Sequence, residues 1–97
     1  MPKGYWVTIY RKINDPNKLA AYAEMAPKAT APFGGKYIAR GTAANAYEAG
    51  LKDRIVISEF PSLEKARTCY ESASYQSALK ALGNGAERDV RIVEGLE

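Results

Sequence analysis

Apolar positions along this chain switch repeatedly between a period of two and a period of three to four. From Gly4 to Lys12 the run Tyr-Trp-Val-Thr-Ile-Tyr is β-branched or aromatic and predicts a strand. Tyr5, Val7 and Ile9 share one face, and Trp6, Thr8 and Tyr10 the other. Neither face carries a charge before Arg11, which suits a strand covered on both sides. The period lengthens after Asn14-Asp15-Pro16, a helix start in which Asp15 caps and Pro16 needs no amide partner. Leu19, Tyr22, Ala23, Ala26, Thr30 and Phe33 recur at helical spacing, with Lys18, Glu24 and Lys28 on the other side. Pro27 interrupts this stripe. An interior proline takes away the hydrogen bond to the Ala23 carbonyl and predicts a kink or register change near residues 23–27. Gly34-Gly35 ends the helix.

Lys36 to Gly41 reads as a second strand, with Tyr37 and Ala39 facing one way and Ile38 and Arg40 the other by simple alternation. Residues 42–53 are ambiguous; Ala46-Tyr47 fits a short extra strand before turn-like Ala49-Gly50 and Lys52-Asp53. Arg54 to Phe60 is nearly continuous in apolar character and predicts a central strand. Pro61 stops it and Ser62 can cap the next helix, whose apolar side is Leu63, Ala66, Cys69, Tyr70 and Ala73. The capping-type residues Ser72 and Ser74 predict a bend before a second segment carrying Tyr75, Ala78, Leu79 and Leu82. Gly83-Asn84-Gly85 breaks that helix, and Arg88 to Glu94 is the last strand, Val90 and Ile92 alternating with Arg91 and Val93.

The order β-α-β-β-α-β predicts an α+β, ferredoxin-like fold: one domain over residues 1–97, a four-stranded antiparallel sheet, and both helices on one face. The other face has no cover within the chain, yet its strands do not read as polar. A second copy packed face to face would hide that surface, so the expected assembly is a homodimer, a dimeric α/β barrel.

Composition narrows the chemistry more than it informs the fold. The chain is 46% hydrophobic and 26% charged, ordinary values for a globular domain. No apolar run approaches the ~18 residues of a membrane span, and Met-Pro-Lys-Gly opens no signal peptide. With one unpaired cysteine, the expectation is a cytoplasmic protein without a membrane partner. The net charge is +3, but its positives are scattered, apart from Arg11-Lys12, and form no basic stripe, so no nucleic-acid partner is expected. There is no histidine, which excludes His-based triads, metal sites and switches. Cys69 stands alone, which excludes an internal disulfide, a CxxC motif and a thiolate zinc site. No metal or cofactor is expected.

Proton transfer must then fall to Glu, Asp, Lys, Tyr or Cys. Glu59 ends a strand otherwise built of Ile and Val, where partial burial would raise its pKa and fit it for general acid or base work. The competing role is a carboxylate paired with Arg40 or Arg54, or bonded to amides near Pro61-Ser62, and this structural role is preferred. Arg40 offers a fork for a ligand carboxylate or phosphate, or a partner for Glu59. Seven tyrosines is a high count for this length; Tyr22, Tyr70 and Tyr75 are the candidates to line a small-molecule pocket, beside Tyr5, Tyr10 and Tyr37 on other elements. Cys69 reads as a buried structural thiol. Ser62-Leu63-Glu64-Lys65 matches an S-x-x-K pattern that a helix cap explains fully.

Two sets of short motifs, in order and at their spacing, carry a resemblance. The first is Gly4-Tyr5-Trp6-Val7, Asp15-Pro16 with Tyr22, and Phe33-Gly34-Gly35-Lys36-Tyr37 followed by Arg40-Gly41. The second is Glu59-Phe60-Pro61-Ser62, then Tyr70, Ser72 and Tyr75-Gln76, then Val93-Glu94-Gly95. Over nearly its whole length the chain resembles the DUF1330 family of uncharacterised small proteins in the dimeric α/β-barrel group. The resemblance implies a ferredoxin-like fold and a dimeric habit, and names no reaction. It departs from the family pattern at Glu48-Ala49-Gly50, where an alanine is inserted, and at Lys80, where members commonly carry an arginine. Two functions stand as alternatives: a cofactor-free enzyme acting on a small organic molecule, with Glu59 moving a proton and Arg40 holding an anion, or a non-catalytic small-molecule-binding or accessory protein.

Overall fold

The computed structural model describes residues 2–97. Its elements are β1 (Gly4–Ile13), α1 (Pro16–Thr30), a 3-10 turn (Ala31–Phe33), β2 (Lys36–Thr42), β3 (Arg54–Phe60), α2 (Leu63–Glu71), α3 (Ala73–Leu82) and β4 (Ala86–Glu94). The strands form one antiparallel sheet in the order β2-β3-β1-β4, so the two apolar strands β3 and β1 are central, as their composition requires. This is the ferredoxin-like arrangement expected from the element order.

Alternation divides the sheet cleanly. Trp6, Thr8 and Tyr10 of β1 and Val56, Ser58 and Phe60 of β3 are buried on the helix-covered face. Trp6 anchors the core: its ring lies 4.9 Å from Phe60, 5.6 Å from Tyr70 and 4.8 Å from Tyr75, and its indole N–H donates to the Ala66 carbonyl at 3.0 Å. On the opposite face Val7, Ile9, Ile55 and Ile57 form a half-buried apolar centre, with Val93 beside it 53% exposed. Charged pairs flank that centre: Glu59 with Lys3 and Lys36, and Asp89 with Arg11 and Arg91.

Two local expectations, the strand at Ala46-Tyr47 and the alternation in β2, are corrected, and the one at Pro27 is narrowed. Pro27 does not divide α1, which runs unbroken from Pro16 to Thr30 and tightens into the 3-10 turn only at Ala31. Pro27 forfeits one bond near the end of a helix pinned by the buried residues Ala26, Ala29 and Thr30, and the Ala31 N–H and the Thr30 hydroxyl both reach the Pro27 carbonyl. Ala46-Tyr47 forms no strand; Gly50 N–H closes a turn onto the Tyr47 carbonyl at 2.8 Å, and Glu48 takes a left-handed φ of 54°. In β2 the simple alternation fails. The pairing shifts between Tyr37, opposite Ser58, and Ala39, opposite Ile57, with Arg40 opposite Val56. This bulge at Ile38 puts Tyr37 and Arg40 on the same, helix-covered face. The predicted bend at Ser72 is present: its hydroxyl donates to the Cys69 carbonyl at 2.6 Å, closing α2, and accepts from Tyr75 N–H, opening α3.

Candidate functional site

The pocket follows from how the helices are seated. α2 packs on β1, β3 and β4, whereas α1 packs chiefly on α3. A cavity of about 40 Å³ is left between α1 and the sheet. Its ceiling is Leu19, Tyr22, Ala23 and Ala26 of α1, and its floor is Thr8 and Tyr10 of β1, Tyr37 and Arg40 of β2, Arg54 and Val56 of β3, and Arg88 of β4. That volume is the space of a few water molecules, enough for one oxyanion group and too small for an aromatic ring.

Register explains why three arginines meet here. Tyr10 pairs with Arg88 on one side, and one step beyond the Ile9–Ile55 pair it faces Arg54 on the other. The guanidinium carbons of Arg54 and Arg88 lie 5.9 and 5.5 Å from the Tyr10 ring centre, and Arg88 also lies 4.8 Å from the Tyr22 ring. One row along, Arg40 lies 4.8 Å from the Tyr37 ring. None of the three guanidinium groups has a carboxylate partner among the described residues, and Arg54 Nε is shut off from solvent without a hydrogen-bond partner.

A short chain of hydroxyls meets this charge. Tyr22 Oη and Tyr75 Oη are 2.6 Å apart, and Arg88 donates to Tyr22 Oη at 3.1 Å. Tyr75 is buried, and the Tyr22 oxygen is the acceptor in reach of its hydroxyl, because Arg88 offers donors only. Tyr75 therefore donates to Tyr22. With two donors already directed at its oxygen, Tyr22 keeps its own proton for whatever enters the pocket. Burial pushes ionisation of Tyr75 and Tyr37 up, so both remain neutral donors at ordinary pH. Burial opposes the charge on Arg88, but the Tyr22 and Tyr75 oxygens more than offset it and raise its pKa.

The residues expected from the sequence are distributed unevenly. Arg40 and Tyr22 line the pocket. Tyr75 stands behind Tyr22, within hydrogen-bond reach of it but not in the lining. Tyr70 packs in the core against Trp6 and Tyr75. Glu59 lies on the opposite face of the sheet from Arg40, since on β3 it falls in step with Ile55 and Ile57 rather than with Arg54, Val56 and Ser58. Its carboxylate is held by Lys3 at 3.1 Å and Lys36 at 3.5 Å, with the Tyr5 hydroxyl at 3.4 Å, and not by Arg40 or Arg54. The Lys3 hydrogen bond leads in holding its pKa below the usual value, opposite to the upward shift expected from burial. Lys80 is exposed on α3 and does not line the pocket. Cys69 is buried, its thiol pushed up to about 11 by desolvation. Sequence reasoning missed Arg88 as a site residue and read Arg54 only as a partner for Glu59. The available signal was positional: Tyr10, Arg54 and Arg88 each sit at the same end of an apolar strand run, so the predicted topology brings them into one row.

Comparison with known proteins bears on the fold and the family. Among solved structures, a protein of unknown function from Rhodopseudomonas palustris superposes with a TM-score of 0.75 at 16% identity, covering 99% of this chain and 84% of that one. A dimeric ferredoxin-like protein of unknown function from Thermobifida fusca gives 0.66 at 18%, covering 96% and 91%. SnoaB, a cofactor-independent oxygenase from Streptomyces nogalater, gives 0.68 at 10%, covering 100% and 96%. At these identities the likeness is one of fold. The chain matches none of the curated proteins it was compared with. Residues 3–96 match the sequence profile described as "Domain of unknown function (DUF1330)", nearly the full length, and the chain belongs to that family.

Proposed function

We propose that this protein is a cytoplasmic homodimer that binds a small organic anion, seating the anionic group beneath α1 between Arg40, Arg54 and Arg88. The observation that carries the reading is three guanidinium groups converging on one pocket without a carboxylate among them. Left unfilled, the arrangement costs folding energy at the half-buried Arg54 and Arg88, which have no carboxylate to pair with, while Arg40 stands exposed at the edge of the same pocket. An anionic ligand supplies the missing partner. The dimer rests on the apolar centre of the open face and on the dimeric ferredoxin-like neighbour from Thermobifida fusca. Native mass spectrometry of the protein after gentle desalting, with a thermal-shift panel of small organic acids, tests the binding. Retention of an acidic metabolite, or stabilisation that Arg54→Gln abolishes, is expected. Indifference to every anion overturns the reading.

A second reading, a cofactor-free enzyme on the same pocket, is favoured by one specific observation. Tyr22 is left with a proton directed at the site by Tyr75 and Arg88, which is the geometry of an acid acting on a bound oxygen. The fold shared with a cofactor-independent oxygenase is compatible with it. In this reading the proton-moving role expected of Glu59 passes to Tyr22, because Glu59 and Arg40 are separated by the sheet.

A further inference from the structure

Resting on the anion-binding reading, the geometry points to a tetrahedral oxyanion of about two charges, the phosphoryl group of a small phosphate or the free sulfate ion that imitates it, as the group this pocket takes, in preference to a carboxylate. Charge is the first reason. Three guanidinium groups line a cavity of about 40 Å³. A monocarboxylate offers two oxygens and one charge, which satisfies a single fork and leaves two unpaired. A phosphoryl group carries about −1.5 to −2 charges at neutral pH and three terminal oxygens, one for each arginine.

The second reason is the donor inventory. Arg40, Arg54 and Arg88 can only donate, and Tyr22, with its oxygen already accepting from Arg88 and Tyr75, also presents a proton. Arg54 Nε is an N–H without a partner, shut off from solvent. A lining of this kind rewards a ligand that is nearly all acceptor. A neutral acid would bring a hydrogen that the guanidinium groups cannot accept and no charge to pair with theirs. Size is the third reason: the cavity holds one head group, so the organic remainder of an ester must leave through the mouth. The shared chemistry has two sources, free phosphate and a phosphate monoester, and the test separates them.

Isothermal calorimetry on the intact protein at fixed ionic strength, with inorganic phosphate, phenyl phosphate, sulfate, benzoate and acetate, decides the matter. Phosphate and sulfate are expected to bind at least tenfold tighter than benzoate or acetate. Phenyl phosphate should bind more tightly as pH rises through about 6, where its second proton leaves, since the chain contributes no histidine titrating there. Tenfold tighter binding of phenyl phosphate than of inorganic phosphate identifies the ester as the ligand class; equal binding identifies the free ion, and both support the site. Arg54→Gln should lower phosphate affinity at least tenfold without lowering the melting temperature of the unliganded protein, and Arg40→Gln on the edge strand serves if the first variant misfolds. Arg67→Gln, on the exposed side of α2, should change nothing. Benzoate binding as tightly as phenyl phosphate overturns the phosphoryl assignment while leaving the anion site standing. Equal losses from Arg67→Gln and Arg54→Gln also overturn it, by reducing the effect to bulk charge. Failure of all five anions removes the anion site itself.

Discussion

Tyr22 and Tyr75 form one hydrogen bond, yet removing the two hydroxyls should not cost the same. In Tyr75→Phe, Tyr22 keeps Arg88 as a donor and loses only a partner, a cost of about 1 kcal/mol. In Tyr22→Phe, the Tyr75 hydroxyl stays buried with a proton and no acceptor, which costs about 1–3 kcal/mol. Urea unfolding of the two variants should therefore rank Tyr22→Phe as the less stable; equal or reversed values would mean the donor is Tyr22 instead. Glu59 gives a pH signature of its own. Its folded pKa lies below the ordinary 4.5, so its ion pairs stabilise the fold above that value and are lost as pH falls through the depressed one. Glu59→Gln should flatten the acid limb of a stability–pH curve in that window and leave the curve near neutrality parallel to the parent's. At this scale the sequence showed which residues carry chemistry better than which of them meet. Arg40, Tyr22 and Glu59 were all identifiable, but whether Glu59 and Arg40 shared a face depended on a bulge that residue types do not announce.

Elements were more legible than their faults. Asp15-Pro16, Ser62, Ser72 and the Gly83–Gly85 break each fix a boundary through local chemistry, a capping oxygen or a missing N–H, that acts wherever the chain lies. The continuity of α1 across Pro27 has the opposite origin. The local penalty of an interior proline is offset by the burial of Ala26, Ala29 and Thr30, which holds the last turns in place. The bulge at Ile38 matters most to function, since it sets Tyr37 and Arg40 on the same face. Deleting Ile38 removes the extra residue but leaves Tyr37 and Arg40 two apart, opposite Ser58 and Val56 as before, so strict alternation then keeps both over the pocket. As β2 is an edge strand, the deletion should leave the circular dichroism spectrum and cooperative unfolding intact and hold anion affinity within about threefold of the parent's. A tenfold loss would show that the bulge itself, beyond the shared face, positions Arg40.

For the whole molecule, the open face makes a prediction independent of any ligand. Light scattering at micromolar concentration should report about twice the chain mass of 10.6 kDa, because Val7, Ile9, Ile55 and Ile57 are only half-buried on the face away from the helices. Ile57→Lys, in the middle of that face, should shift the mass to that of one chain. A parent protein already monomeric would sink the explanation of why β1 is apolar on both faces. The topology was readable because a four-strand, two-crossover chain has few right-handed solutions. The pocket was not, because a gap beneath a helix depends on which neighbour that helix prefers, and α1's preference for α3 over the sheet is written in no single residue.

The pocket's two halves differ in kind, and that difference bears on how such a site can change. The floor belongs to a sheet whose arginines are fixed by strand register, where moving one displaces its neighbours. The ceiling is a helix face on which, beside the Tyr22 hydroxyl, the sizes of Leu19, Ala23 and Ala26 set the headroom. Trimming Leu19 enlarges the chamber, and a bulkier residue at the exposed position Ala23 closes it, each without touching the charge below. Selectivity for the body of a ligand and attraction for its charged end are thus heritable separately. A lineage built on this scaffold is free to exchange one guest for another through substitutions on a single helix while its electrostatic grip stays constant.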